Sequence, residues 1–149
     1  MKYDKTKVIL NQLVADLSIF SVRIHQVHWY MSGAGFLMMH PKMDELMDQV
    51  NSQLDEVSER LITLDGNPYS TLDEFIKESK LCEKKGSRDI SIEEYVDYLL
   101  QGYQYLVSLY GKGITIAGEE SDTCTEDIFI GHKKELEKLV WMLKSELRK

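Results

Sequence analysis

The stretch from Met39 to Leu64 constrains the fold more than any other, because it reads as one amphipathic helix with two separate working faces. Take His40 as the origin and about 100° of rotation per residue. Met39, Met43, Leu46, Val50, Leu54, Val57, Leu61 and Leu64 then fall within roughly 240° to 320°. That is the width of a core stripe. His40, Asp44, Asp55 and Glu59 gather in a second arc, at about 0°, 40°, 60° and 100°. All four side chains in that arc can ligate a metal.

His40 and Asp44 are stacked neighbours on such a helix, and so are Asp55 and Glu59. The two pairs lie about 16 Å apart along the axis at 1.5 Å per residue. Metal–ligand bonds of about 2 to 2.6 Å cannot join them within one helix. A second, antiparallel copy removes the obstacle. A two-fold axis near residues 49–50 sets His40 and Asp44 of one chain opposite Asp55 and Glu59 of the other, and builds the site twice. An ordinary solvated face explains each residue taken singly. Their joint symmetry sets an intersubunit metal site beside that reading as an equal alternative.

A chain of 149 residues suffices for one domain with a real core, and we take 1–149 as a single unit. No apolar run stands out as long enough to span a bilayer. The start, Met1 to Lys7, leads into a polar-studded helix, not a signal peptide. The net charge of −7 disfavours general attraction to nucleic acid and favours attraction of cations. Cys82 and Cys124 lack metal-type spacing and read as free thiols, buried or incidental, in a reducing cytoplasm.

In chain order, residues 7–31 form the first predicted helix, with Leu10, Leu13, Val14, Leu17, Phe20, Ile24, Val27 and Met31 recurring every three or four positions. His28 flanks that stripe, where a lone histidine is more often a hydrogen-bonded core residue than a ligand. His25 reads as a surface residue or a partner to a ligand, and Trp29 and Tyr30 as packing or as rings able to exchange an electron. Ser32-Gly33-Ala34-Gly35 breaks the helix and implies an antiparallel return, which makes His28 and His40 neighbours. Pro41 fits a first helical turn. Asp65-Gly66-Asn67-Pro68 stops the second helix. A capping box at Thr71–Glu74 opens a short helix to about Lys80, and an exposed loop follows over Glu83–Asp89. The long connection lets the second and third main helices run parallel. Ser91-Ile92-Glu93-Glu94 caps the third, with Ile92, Tyr95, Val96, Leu99, Tyr103, Leu106 and Tyr110 on its core face. Gly102, Gly111 and Gly113 imply close helix contact or a bend. Thr123-Cys124-Thr125-Glu126 reads as the last capping box. Ile128, Leu136, Leu139, Val140, Leu143 and Leu147 read as the core face of the last helix, with His132 on the surface.

The architecture so described is all-α: a ferritin-like four-helix bundle with one long crossover that carries a short extra helix. No Glu-x-x-His pair is present, so an ordinary intrachain di-iron oxidase loses support. Two histidines and three carboxylates suit iron(II), with zinc or manganese as competitors. Neither a phosphate loop nor a Gly-x-Ser-x-Gly elbow occurs.

Three segments carry a family resemblance: His25-Gln26-Val27-His28-Trp29-Tyr30-Met31-Ser32-Gly33, His40-Pro41-Lys42-Met43-Asp44, and Leu54-Asp55-Glu56-Val57-Ser58-Glu59-Arg60-Leu61. They resemble the Dps family, in particular its peroxide-resistance and non-haem iron-ferritin members, and Trp141-Met142-Leu143 is similar too. The resemblance implies a twelve-subunit shell with 23 symmetry and ferroxidase centres at its two-fold interfaces. It implies His28, His40 and Asp44 as ligands from one subunit, Asp55 and Glu59 from its neighbour, and Trp29 as the aromatic neighbour. Iron(II) would be oxidised, hydrogen peroxide preferred, and iron(III) mineral stored. Asp122 and Asp127 would line an acidic entry pore, made less acidic by Gly118. The family's DNA binding often uses a basic tail, whereas only Lys2, Lys5 and Lys7 precede this helix; weak or no DNA binding at physiological salt is expected. A DNA-compacting protein of the same fold and a metal-free helical interaction module are the rival readings.

Overall fold

The computed structural model describes residues 2–149. It holds five helices and, among the described residues, no strand: α1 (Asp4–Tyr30), α2 (Phe36–Thr63), α3 (Leu72–Glu78), α4 (Ile92–Glu119) and α5 (Thr123–Glu146). The four long helices make the bundle and α3 sits on the crossover, as the sequence implies. Directions follow from cross-helix pairs. His28 meets His40, and Asp16 meets Tyr105, so α1 runs against α2 and also against α4. Helices α2 and α4 are therefore parallel.

The expected core faces of α1 and α4 are buried, apart from partly covered Ile92. In α2, Met43, Leu46, Val50, Val57 and Leu61 are buried, while Met39, Leu54 and Leu64 cover the edge. Helix α1 is in fact long and apolar enough, by length and composition, to cross a membrane. Its apolarity serves the bundle instead, since 67% of that window is packed inside. Gly102 is a true close approach, because a Cβ there would overlap the Phe20 ring; at Gly113 it would stand 2.8 Å from Phe129. Gly111 faces no such crowding.

Three local expectations need correction. Helix α1 starts at Asp4 because the Glu120 carboxylate accepts from the N–H groups of Lys5 and Thr6, at 3.2 and 2.7 Å. An acid from the α4–α5 turn thus satisfies donors that a first helical turn leaves free. Pro41 is the sixth residue of α2, past the first turn. It leaves the exposed Leu37 carbonyl without a helical donor. The Thr123 box does not cap α5 either. Asp122 does, accepting from Thr125 N–H at 3.1 Å, where a carboxylate also complements the helix dipole. From that cap the buried face runs through Thr125, Phe129, His132, Leu136, Leu139 and Leu143. Phe129 replaces Ile128 in the core, and His132 lies inside it, not on the surface.

Candidate metal centre

Helix α1 ends at Tyr30 and α2 begins at Phe36, so the short Gly-rich turn presses the two ends together. The His28 and His40 rings stack with centroids 3.8 Å apart and planes 12° from parallel. Each Nδ1 lies 2.9 Å from the other histidine's backbone carbonyl oxygen. A carbonyl only accepts, so each Nδ1 carries hydrogen and donates. That leaves Nε2 of each ring as the nitrogen through which imidazole can bind a metal. Phe36 stacks on the far side of His40, at 4.7 Å. Asp44, one turn along α2, brings Oδ1 to 3.7 Å from His28 Nε2. Its side chain is 75% exposed, so it can turn toward an arriving cation.

Asp55 and Glu59 are on the same helix and both exposed. Eleven residues of straight helix separate them from His40 and Asp44, and the structure does not bring the two pairs together within one chain. Among the described residues, no group of three or more His, Cys, Asp or Glu in a single chain is close enough to hold an ion. The chain thus carries an imidazole pair beside Asp44 and, well apart from it, a pair of exposed carboxylates.

Trp29 is 69% exposed and stacks on His25 at 5.0 Å, beside His28. The two proposed pore acids differ. Asp127 is exposed, whereas Asp122 is only 2% exposed and fully engaged. Its carboxylate caps α5, accepts from Thr125 Oγ1, and takes a 3.0 Å hydrogen bond from Arg60 Nη2. Within the chain, the Asp122 carboxylate is thus committed to these three bonds, whereas that of Asp127 faces solvent. Glu126 packs against Gly118, with a carboxylate oxygen 3.0 Å from where a Cβ would stand, so the space beside that glycine holds an acid from α5. Cys82 and Cys124 are free and exposed.

His132 is the functional group that the sequence reading misplaced. Its Nδ1 is 3.0 Å from the Tyr110 hydroxyl and its Nε2 is 2.9 Å from Glu56 Oε2. The signal was present in its spacing, three after Phe129 and four before Leu136, at an inward helical position.

Comparison with known proteins gives this geometry its context. The ferritin-like domain family matches residues 8–149. The DNA protection during starvation protein of Streptococcus suis is 49% identical over 142 residues, covering 95% of this chain and 83% of the relative. The X-ray structure of Dps from Listeria monocytogenes superposes with a TM-score of 0.95 at 38% identity, covering 97% of this chain and 94% of that one. Listeria innocua Dps soaked with zinc gives a TM-score of 0.92 at 38% identity, with 97% of each chain covered. A bundle of this topology, together with matches over nearly the whole chain, places it plainly: the chain belongs to the Dps family of ferritin-like proteins.

Proposed function

We propose that this protein is a ferroxidase and iron store whose reaction centre is completed between two subunits. The observation that carries the reading is the locked imidazole pair, with both Nδ1 atoms committed to backbone carbonyls, on a chain whose Asp55 and Glu59 cannot reach it in cis. Pairing across a two-fold axis near residues 49–50 supplies Asp55 and Glu59 of the second copy. The substrate is iron(II), and the five-residue shell of His28, His40, Asp44, Asp55 and Glu59 suits it. Oxidation adds one positive charge to each ion. Three carboxylates stabilise the product more than the reactant and so make electron loss easier. Reducing hydrogen peroxide, the preferred oxidant, to two waters takes two electrons from two iron(II) ions and two protons from solvent. No hydroxyl radical is released when both electrons arrive together. Trp29, next to His28 and open to solvent, is placed to supply an electron should one arrive alone.

The assembly belonging to this reading is a cytoplasmic shell of twelve copies. Iron(III) is stored inside it, and cations enter past Asp127. Zinc is a competitor for the same ligands, and it is a metal with which a relative's structure was soaked. Anaerobic protein mixed with iron(II) and then peroxide tests the chemistry. Iron and peroxide should disappear in a two-to-one ratio with no spin-trapped hydroxyl radical. Oxidation no faster than in buffer refutes it.

The relatives' names favour a second reading, direct protection of DNA by binding. The charge of −7 opposes it, and Lys5 sits at an α1 start pinned to Glu120. A gel shift at physiological salt decides: no retarded species is expected, and tight binding there establishes the second reading.

A further inference from the structure

Helix α2 has a third face that neither the core nor the ligand arc uses. Gln53, Glu56 and Arg60 fall three and four residues apart, at about 160° to 220° from His40. All three reach α5, which stands farther from α2 than α1 does. Gln53 Nε2 donates to Glu135 Oε2 at 3.2 Å. Glu56 meets His132 at 2.9 Å, and Arg60 Nε donates to Thr125 Oγ1 at 2.8 Å. These polar clasps bracket Asp55 and Glu59 along the chain, and those two carboxylates lie on the adjoining, exposed face. They fix how far α2 is rotated, and hence where those two carboxylates are presented.

The central clasp joins three helices. Burial, with the charges of Glu135 and Glu56 adding to it, raises the Tyr110 pKa well above that of a free phenol, so its single hydrogen is retained. Gln53 gives its N–H to Glu135 and turns its Oε1 to Tyr110, at 3.0 Å. The same Tyr110 oxygen lies 3.0 Å from His132 Nδ1. The Glu56 carboxylate can only accept, so Nε2 donates to it. A bond to a carboxylate is charge-assisted and among the stronger kinds. One side chain of α5, 6% exposed, ties together α4 and the segment of α2 that carries Asp55.

We propose that His132 is a positioning residue for the metal centre, holding the carboxylate half-site through Glu56 and Tyr110 without touching the metal. The inference rests on the centre proposed above. It adds a determinant outside the five ligands, and partners of that kind typically change affinity by about 10- to 100-fold.

The test is cobalt(II) titration of the assembled protein, following the visible d–d band, which reports coordination geometry as well as occupancy. His132→Phe keeps a ring without hydrogen bonds and should weaken cobalt(II) affinity about 10-fold with an altered band. His132→Gln places an amide N–H where Nε2 was and should recover most of the loss. His132→Asn reaches only the Tyr110 side and should not. Glu56→Ala opens the same clasp from the exposed partner, so the result survives a folding failure of the buried variants. It should match His132→Phe, whereas Glu56→Gln, still an acceptor, should stay near wild type. Wild-type affinity and band in both His132→Phe and Glu56→Ala overturn the inference, as does equal loss in Glu56→Ala and Glu56→Gln. Asp55→Asn is the control for the centre itself. If that change leaves cobalt(II) binding intact while His132→Phe weakens it, the shared-centre reading has failed and the inference falls with it.

Discussion

The two proposed half-sites on one chain are built on opposite principles. The imidazole half is locked from within: His28 and His40 hold each other by a ring stack and two reciprocal backbone hydrogen bonds, with Phe36 as a backstop. The carboxylate half is exposed, on a stretch of α2 whose adjoining face is clasped to α5. The difference teaches where each kind of ligand can be prepared. Imidazole can be desolvated and fixed before metal arrives, because it is neutral. Two carboxylates fixed in a dry pocket would repel one another and lose their hydration, at a cost of several kcal/mol per ion. Such a pair is better left in water until a cation arrives.

The contrast makes predictions that can break it. The largest effect belongs to the exposed half. Asp55→Asn with Glu59→Gln should cut the initial rate of iron(II) oxidation by about 100-fold or more, beyond what loss of an outer-shell partner costs, while the melting temperature of the protein hardly moves. A large loss of stability, or an unchanged rate, breaks the comparison. Next comes complementation. Mix subunits lacking Asp55 and Glu59 with subunits lacking His40 and Asp44, then reassemble them. A random mixture should regain about one quarter of the intact centres, since half of the pairs are mixed and one of two sites in each is whole. No recovery in reassembled hybrids refutes a shared site.

The locked half should behave differently. His40→Ala should abolish activity and also lower stability by roughly 1 to 3 kcal/mol, because it removes one hydrogen bond and strands the His28 carbonyl. Chemical denaturation with the metal-free protein measures this. A neutral change there removes the claim that this half is structural. The smallest effect is expected for Phe36→Leu, which keeps apolar cover but loses the stacked ring, about 0.5 to 1.5 kcal/mol. It should weaken cobalt(II) binding slightly and leave the carboxylate variants' behaviour unchanged, which a double-mutant cycle with Glu56→Ala would verify as additivity.

What the sequence determined by itself was everything periodic. Core stripes recur at 3.6 residues wherever a helix packs, so the four long helices, the crossover and the parallel run of α2 and α4 were legible without coordinates. The separation of His40 and Asp44 from Asp55 and Glu59 was legible too, since it follows from helical rise alone. Competition among nearby groups was not legible. Both Thr123 and Asp122 are good cap residues, and only the packed turn, with Arg60 reaching in, decided for Asp122. That choice also tied Asp122 to Arg60. His132 reads as a surface polar group until Tyr110 and Glu56, far away in sequence, close on both its nitrogens. A polar residue's place in a core depends on whether partners from other helices satisfy it, and those partners are brought together only by tertiary packing.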